Sequence, residues 1–114
     1  MAAVYVNNLV INAGSDFTQT FTLEGTDTNS SFNLTGYTVS AQMRKWSGSS
    51  TAINFTANIV DPAYNGTILL KLTATQTKNI RPGRYVYDVI ITDSYAVKNR
   101  VIEGMVLLRE GVTR

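Results

Sequence analysis

The chain contains no cysteine and no histidine, only two prolines among its 114 residues, and only 16% charged residues. Without a thiol there are no cysteine nucleophiles, disulfides, or thiolate sites for zinc or iron–sulfur clusters. Without an imidazole there is no side chain whose ordinary pKa lies near neutrality, so histidine bases and histidine metal ligands are excluded as well. Ten Lys plus Arg against eight Asp plus Glu leave a formal charge of +2. That surplus is too small and dispersed to build the field that a phosphate backbone requires, so no nucleic-acid partner is expected. No apolar run approaches the roughly 20 residues that span a bilayer, and no membrane partner is expected. The opening MAAVYVNNLVINAGSDF lacks a basic n-region, and Asn7, Asn8 and Asn12 interrupt its apolar residues. The expectation is therefore a soluble chain without a secretory signal.

The residues present describe one β-rich domain over 1–114. At 12.5 kDa, folding buries about two-thirds of roughly 18,000 Å² of unfolded surface, enough for one unaided core. Short segments alternate apolar and polar with period two and are separated by turn residues, which is how half-buried strands read. Val4 to Ile11 is the first, closed by the cluster Asn12-Ala13-Gly14-Ser15-Asp16. Phe17 to Leu23 follows, then the polar stretch Glu24 to Asn33, read as a loop. Tyr37 to Arg44 places Tyr37, Val39, Ala41 and Met43 on one face. Ile53 to Ile59 pairs with Thr67 to Leu72 through a tight Asn65-Gly66 turn. Ala74 to Ile80 has the composition of one helical turn, with Thr73 as its N-cap, and Pro82-Gly83 redirects the chain. Tyr85 to Thr92 turns Tyr85, Tyr87, Val89 and Ile91 to one side. The final strand, Ala96 to Leu108, is apolar on both faces, so it is either bulged or buried on both sides. Seven strands with one helical turn predict an all-β, antiparallel, immunoglobulin-like sandwich.

Few residues are placed to carry chemistry. Asp88 lies mid-strand, where an unpaired carboxylate is costly, and Arg44, Arg84 or Arg100 can pair with it. The eight acids form no obvious spaced pair of the kind glycoside hydrolysis uses. The Asp and Asn of EGTDTNSS fit no calcium-loop spacing, and the Asn-x-Ser/Thr sequons at Asn29, Asn33, Asn54 and Asn65 are read as chance in a chain rich in Asn and Thr. No catalytic residue, metal or cofactor is expected. The segment Pro82-Gly83-Arg84-Tyr85-Val86-Tyr87 resembles the entry to the sixth strand of immunoglobulin domains, with Tyr87 where a cysteine would stand. Tyr85 is then either a tyrosine corner, its hydroxyl bonded to backbone upstream, or an ordinary core aromatic. With no inter-sheet bridge, Phe17, Phe21, Tyr37, Phe55 and Leu70 must hold the sandwich. Trp46 and Tyr64 are candidate surface contacts, a pair of stacking platforms if the chain binds glycan or a host surface. The apolar first and last strands exceed what a lone sandwich must bury, which makes Val4, Val6, Leu9, Ile102, Val106 and Leu108 a candidate assembly interface unless the final strand is simply core.

From Ile11 onward the order of segments resembles small bacteriophage virion proteins with immunoglobulin-like domains, of tail and baseplate type. More loosely it resembles the N-terminal domain of phage baseplate upper proteins. The residues carrying the likeness are Asn12 to Phe17, Leu34-Thr35-Gly36-Tyr37 leading into Ala41 to Arg44, Leu72 to Thr77, Pro82 to Val89, Glu103-Gly104, and Gly111 to Arg114. The resemblance implies a non-enzymatic virion subunit of tail, baseplate or neck, assembled in the host cytoplasm, whose partners are other virion proteins and copies of itself. A decoration protein on the capsid exterior and a glycan-binding module are the alternatives. The chain ends at Arg114 without an appended fibre or receptor-binding region, which points to a standalone structural subunit.

Overall fold

A computed structural model describes residues 5–24 and 32–112. Its strands are β1 (Tyr5–Val6), β2 (Leu9–Asn12), β3 (Phe17–Thr22), β4 (Thr38–Arg44), β5 (Ile53–Asn54), β6 (Thr56–Ile59), β7 (Thr67–Leu72), β8 (Gly83–Thr92) and β9 (Lys98–Arg109), with one helical turn, α1 (Ala74–Lys78), between β7 and β8. They form two sheets. The larger runs β1-β9-β8-β4-β5, with β2 following β1 on the same edge of β9, and the smaller runs β3-β7-β6. The all-β, immunoglobulin-like sandwich expected from the alternation is the fold observed. It is not wholly antiparallel, because β1 and β2 both run parallel to β9.

The core lies between the sheets. Phe21, Ile68, Leu70 and Leu72 of the smaller sheet face Met43, Tyr87, Val89 and Ile91 of the larger, and all are buried. Phe55 joins the layers through its ring, 6.1 Å from Phe17 and 6.2 Å from Tyr87 between centroids. Aromatic packing of this kind replaces the missing inter-sheet bridge. Of the residues expected to hold the sandwich, Phe21, Phe55 and Leu70 are buried, and Phe17 and Tyr37 pack against the core from its margin.

Three expected elements differ in detail, the first being the strand expected from Val4 to Ile11, which is broken at Asn7-Asn8 into β1 and β2. The strand Ile53 to Ile59 is split: Ile53 and Asn54 pair with β4 in one sheet, and Thr56 to Ile59 pair with β7 in the other. Phe55 makes the crossing and still donates its N–H to the Ala41 carbonyl at 3.0 Å. The Asn65-Gly66 turn is no two-residue hairpin, because Pro62 has no N–H for the ladder and the chain makes a 3-10 turn over Ala63–Asn65. Gly66 ends that turn at φ 70, and a Cβ there would lie 2.6 Å from the Phe32 carbonyl oxygen. The bulge in the final strand is real. Val89 faces Ile102 while Ile90 faces Arg100, so Val101 is the extra residue, and Val101 and Ile102 are both fully buried.

The segment after β7 is as expected. Thr73 caps α1 by accepting from the Gln76 N–H at 3.2 Å while Gln76 Oε1 accepts from the Thr73 N–H at 2.8 Å, a reciprocal capping box. Thr77, buried on this turn, donates its hydroxyl toward the Ser15 and Ala74 carbonyls and accepts from the Gly14 N–H, which ties α1 to the β2–β3 turn. The expected loop from Glu24 to Asn33 lies outside the described residues over 25–31.

Candidate functional site

Pairing across β8 and β9 decides which residues of the final strand face outward. Tyr85, Tyr87 and Val89 point into the core, and their partners Val106, Gly104 and Ile102 must do the same. Leu108 continues this face. Ile102, Val106 and Leu108 are accordingly buried, and so is Leu9, which pairs with Val106. Four of the residues expected to form an assembly interface are therefore core. Val4 lies outside the described residues, and Val6 alone of that set is exposed. The reason is parity: beyond the bulge at Val101, the even-numbered side chains of β9 point inward.

The opposite face carries the exposed apolar residues. Val6 is 76% exposed, Val10 54%, Met105 49% and Leu107 44%. Val10 pairs with Leu107, and Val86 of β8 sits beside Met105, so these side chains form a continuous strip on the outer face of the larger sheet. The strip borders a shallow concavity of about 920 Å³, lined by Val6, Met105 and Val86 together with Trp46, Arg44 and Arg100. Gln42, Asp88 and Glu103 also line it, so the concavity mixes apolar, aromatic and charged side chains. Sequence reasoning missed Val10, Met105 and Leu107, although the inward set Tyr85, Tyr87 and Val89, carried across an antiparallel pair, identifies them.

Three ionic groups on this face form a paired cluster, Arg100 with Asp88 and Glu103. Arg100 Nε lies 3.3 Å from Asp88 Oδ2, and its guanidinium reaches Glu103 at 3.8 Å. Arg100 is therefore the partner of Asp88. Arg44 is not, since it donates to the Ser49 carbonyl and to Gln42 Oε1. These residues bring charge to the rim of the strip without setting a nucleophile beside a base.

Two tyrosines fix the sheet beneath. Tyr85 donates its hydroxyl to the Arg81 carbonyl at 2.6 Å, which is the tyrosine corner, and Lys45 Nζ sits 5.1 Å from its ring centroid. Tyr87 donates to the Asn7 carbonyl at 2.5 Å, and burial pushes its pKa from 10.0 up to about 12. Asn7 also donates to the Glu103 carbonyl, and Asn8 Oδ1 accepts from the Met105 N–H at 3.0 Å. The break between β1 and β2 is thus tied down on three sides, and Val6 and Val10 are held on a rigid edge. Gly104 makes the break possible, because a Cβ there would overlap the Asn7 carbonyl.

Trp46 and Tyr64 are both 62% exposed. Trp46 follows the Arg44 end of β4, whereas Tyr64 sits in the β6–β7 connection, where the Ala63 carbonyl accepts from the Leu34 N–H near the start of β4. They occupy opposite ends of the sandwich and cannot hold one ligand between them. A second depression, of about 620 Å³, lies at the Trp46 end between α1 and the end of β9, lined by Ala13, Ala74, Ile80 and Pro82 with Lys78 and Glu110. Among the described residues no group of acids could hold a metal ion.

No protein-family model matches the chain, and no curated protein matches it. Among solved structures the chain is similar to an internalin-like protein of Listeria monocytogenes, at a TM-score of 0.45 and 16% sequence identity. The similarity covers 95% of this chain and 28% of that one, so the chain spans little more than a quarter of its length.

Proposed function

We propose that the chain is a non-enzymatic bacteriophage virion subunit of tail, baseplate or neck, and that it assembles through the outer face of its larger sheet. The observation that carries the assembly reading is the strip of Val6, Val10, Met105 and Leu107, left exposed on a sheet whose other face is fully packed. Single exposed apolar residues are ordinary on a protein surface, but a contiguous run on adjacent strands marks an interaction site. The virion reading rests on the sequence resemblance from Ile11 onward. A sandwich whose edge is pinned by Tyr87, Asn7 and Asn8 suits a part that must keep its shape while neighbours dock on it.

The test is a double variant, Met105→Asp with Leu107→Asp, supplied in place of the natural chain during particle production. Both positions are solvent-facing, so the variant should remain folded by circular dichroism yet be missing from purified particles. Normal incorporation of the folded variant would refute the assigned face.

A further inference from the structure

The smaller sheet ends in an edge that no strand among the described residues covers. Of the open edges among the described residues, β5 and β1 have two residues each and β2 and β6 have four each, while β3 has six, Phe17-Thr18-Gln19-Thr20-Phe21-Thr22. Proteins blunt such edges with lysine, proline, bulges or short strands. This strand has none of these devices: it is uncharged, free of proline, and paired without a register break along its whole length to β7. The direction of its free backbone groups follows from the hydrogen-bond phase. Leu23 donates to the Gly66 carbonyl on the β7 side, so Phe21, Gln19 and Phe17 also bond toward β7, and the N–H and C=O groups of Thr18, Thr20 and Thr22 point away from the sheet. Two contacts agree with this phase. The next even residue, Glu24, donates its N–H outward to the Tyr5 hydroxyl, and the Thr20 carbonyl is met from outside by the Gln19 side-chain amide at 3.2 Å.

We propose that this edge is a self-association site, at which β3 of a second copy adds antiparallel about a two-fold axis at Gln19, joining the two three-stranded sheets into one. The strand's own sequence favours a second copy over an unrelated segment. With the axis at Gln19, Thr18 falls opposite Thr20 on the outer face and Phe17 opposite Phe21 on the inner face. Both are favourable cross-strand pairs. Thr18 and Thr20 are then the residues that exchange main-chain bonds, which is the phase their outward groups require. Gln19 meets itself, and its amide is donor and acceptor at once, so it exchanges its bond to Thr20 for one across the axis. Moving the axis to Thr20 would set Asp16 against Glu24 and repel, whereas at Gln19 Asp16 meets Thr22. A two-fold contact is self-complementary by construction, and an uncharged strand meets its copy without like charges opposed. The inference stands on this edge alone and is independent of the virion reading and of the outer-face strip.

The experiment is sedimentation of the full chain over a concentration series, with amide exchange read in parallel. The wild type should dimerise with rising concentration, and protection should appear at Thr18, Thr20 and Thr22. Thr20→Pro removes an outward N–H that has no partner among the described residues, and edge strands tolerate proline. It should weaken dimerisation at least about tenfold, the effect of losing two main-chain bonds. Gln19→Lys, which sets two charges at the axis, should do the same without touching the backbone, and this keeps the test sound if the proline variant misfolds. A chain that stays monomeric to millimolar concentration would overturn the proposal. So would a dimer indifferent to both variants but broken by Met105→Asp.

Discussion

Gly104→Ala tests whether the N-terminal strands are held as described. A Cβ at this position would overlap the Asn7 carbonyl oxygen, lie 2.8 Å from its carbonyl carbon, and lie 3.1 Å from Asn8 Oδ1. The obstacle is backbone, so the break between β1 and β2 must lift away from β9. Three hydrogen bonds converge there: Asn7 N–H to Glu103, Tyr87 hydroxyl to Asn7, and Met105 N–H to Asn8. At about 0.5–1.5 kcal/mol net each, their loss costs roughly 1.5–4.5 kcal/mol. Loosening Leu9 and Ile11, both buried, adds up to about 1.5–3 kcal/mol for each side chain that becomes exposed. A domain of this length has on the order of 6–17 kcal/mol in total, so the variant should fold but unfold at markedly lower urea. Equilibrium urea unfolding followed by far-ultraviolet circular dichroism measures the loss directly. Gly48→Ala is the control, since its Cβ would meet only Trp46 side-chain atoms at 3.6 Å, an ordinary contact. A Gly104→Ala stability within about 0.5 kcal/mol of wild type, the range of a neutral surface change, would refute the described packing.

Val106→Asp should abolish folding, because it removes a fully buried valine and places a carboxylate in the core at a cost of several kcal/mol. Met105→Asp, one residue earlier and half exposed, should leave stability within about 0.5 kcal/mol; the same urea titration separates the two. Raising the Tyr87 pKa from 10.0 to about 12 by burial means that its contribution to stability is complete below pH 10 and is lost as pH rises toward and past 12. Tyr87→Phe should therefore unfold less steeply than wild type across that alkaline window in melting experiments. Asp88→Asn should cost no more than about 1 kcal/mol, since the Arg100 pair is largely solvent-exposed; a greater loss in calorimetry would show that the pair is structural.

The strands from β3 onward were legible because their alternation is local, and so were the Thr73 cap and the Tyr85 corner, which depend on residues within four positions of one another. Facing in the last strand was not legible from that strand itself. Val101, Met105 and Leu107 look no less apolar than Ile102, Val106 and Leu108, and only pairing with β8 across the bulge tells them apart. The split of Ile53 to Ile59 between sheets was hidden for a similar reason. Phe55 continues the alternation through the crossing, so periodicity is unbroken where the hydrogen-bond partner changes. Parallel pairing of β1 and β2 with β9 depends on Gly104 leaving room for Asn7, a contact between residues at the two ends of the chain. The expected assembly interface inherited these errors: Leu9, Ile102, Val106 and Leu108 were read as available for contact, and all four are core.

The central claim is that this sandwich is a part of a virion, docked through the outer face of its larger sheet. Electron cryomicroscopy of purified phage particles, with the chain identified by mass spectrometry, tests it most directly. The account predicts copies at fixed symmetric positions, with Met105 and Leu107 covered by a neighbouring subunit. Absence of the chain from mature particles, or its presence with that face bare, would contradict it.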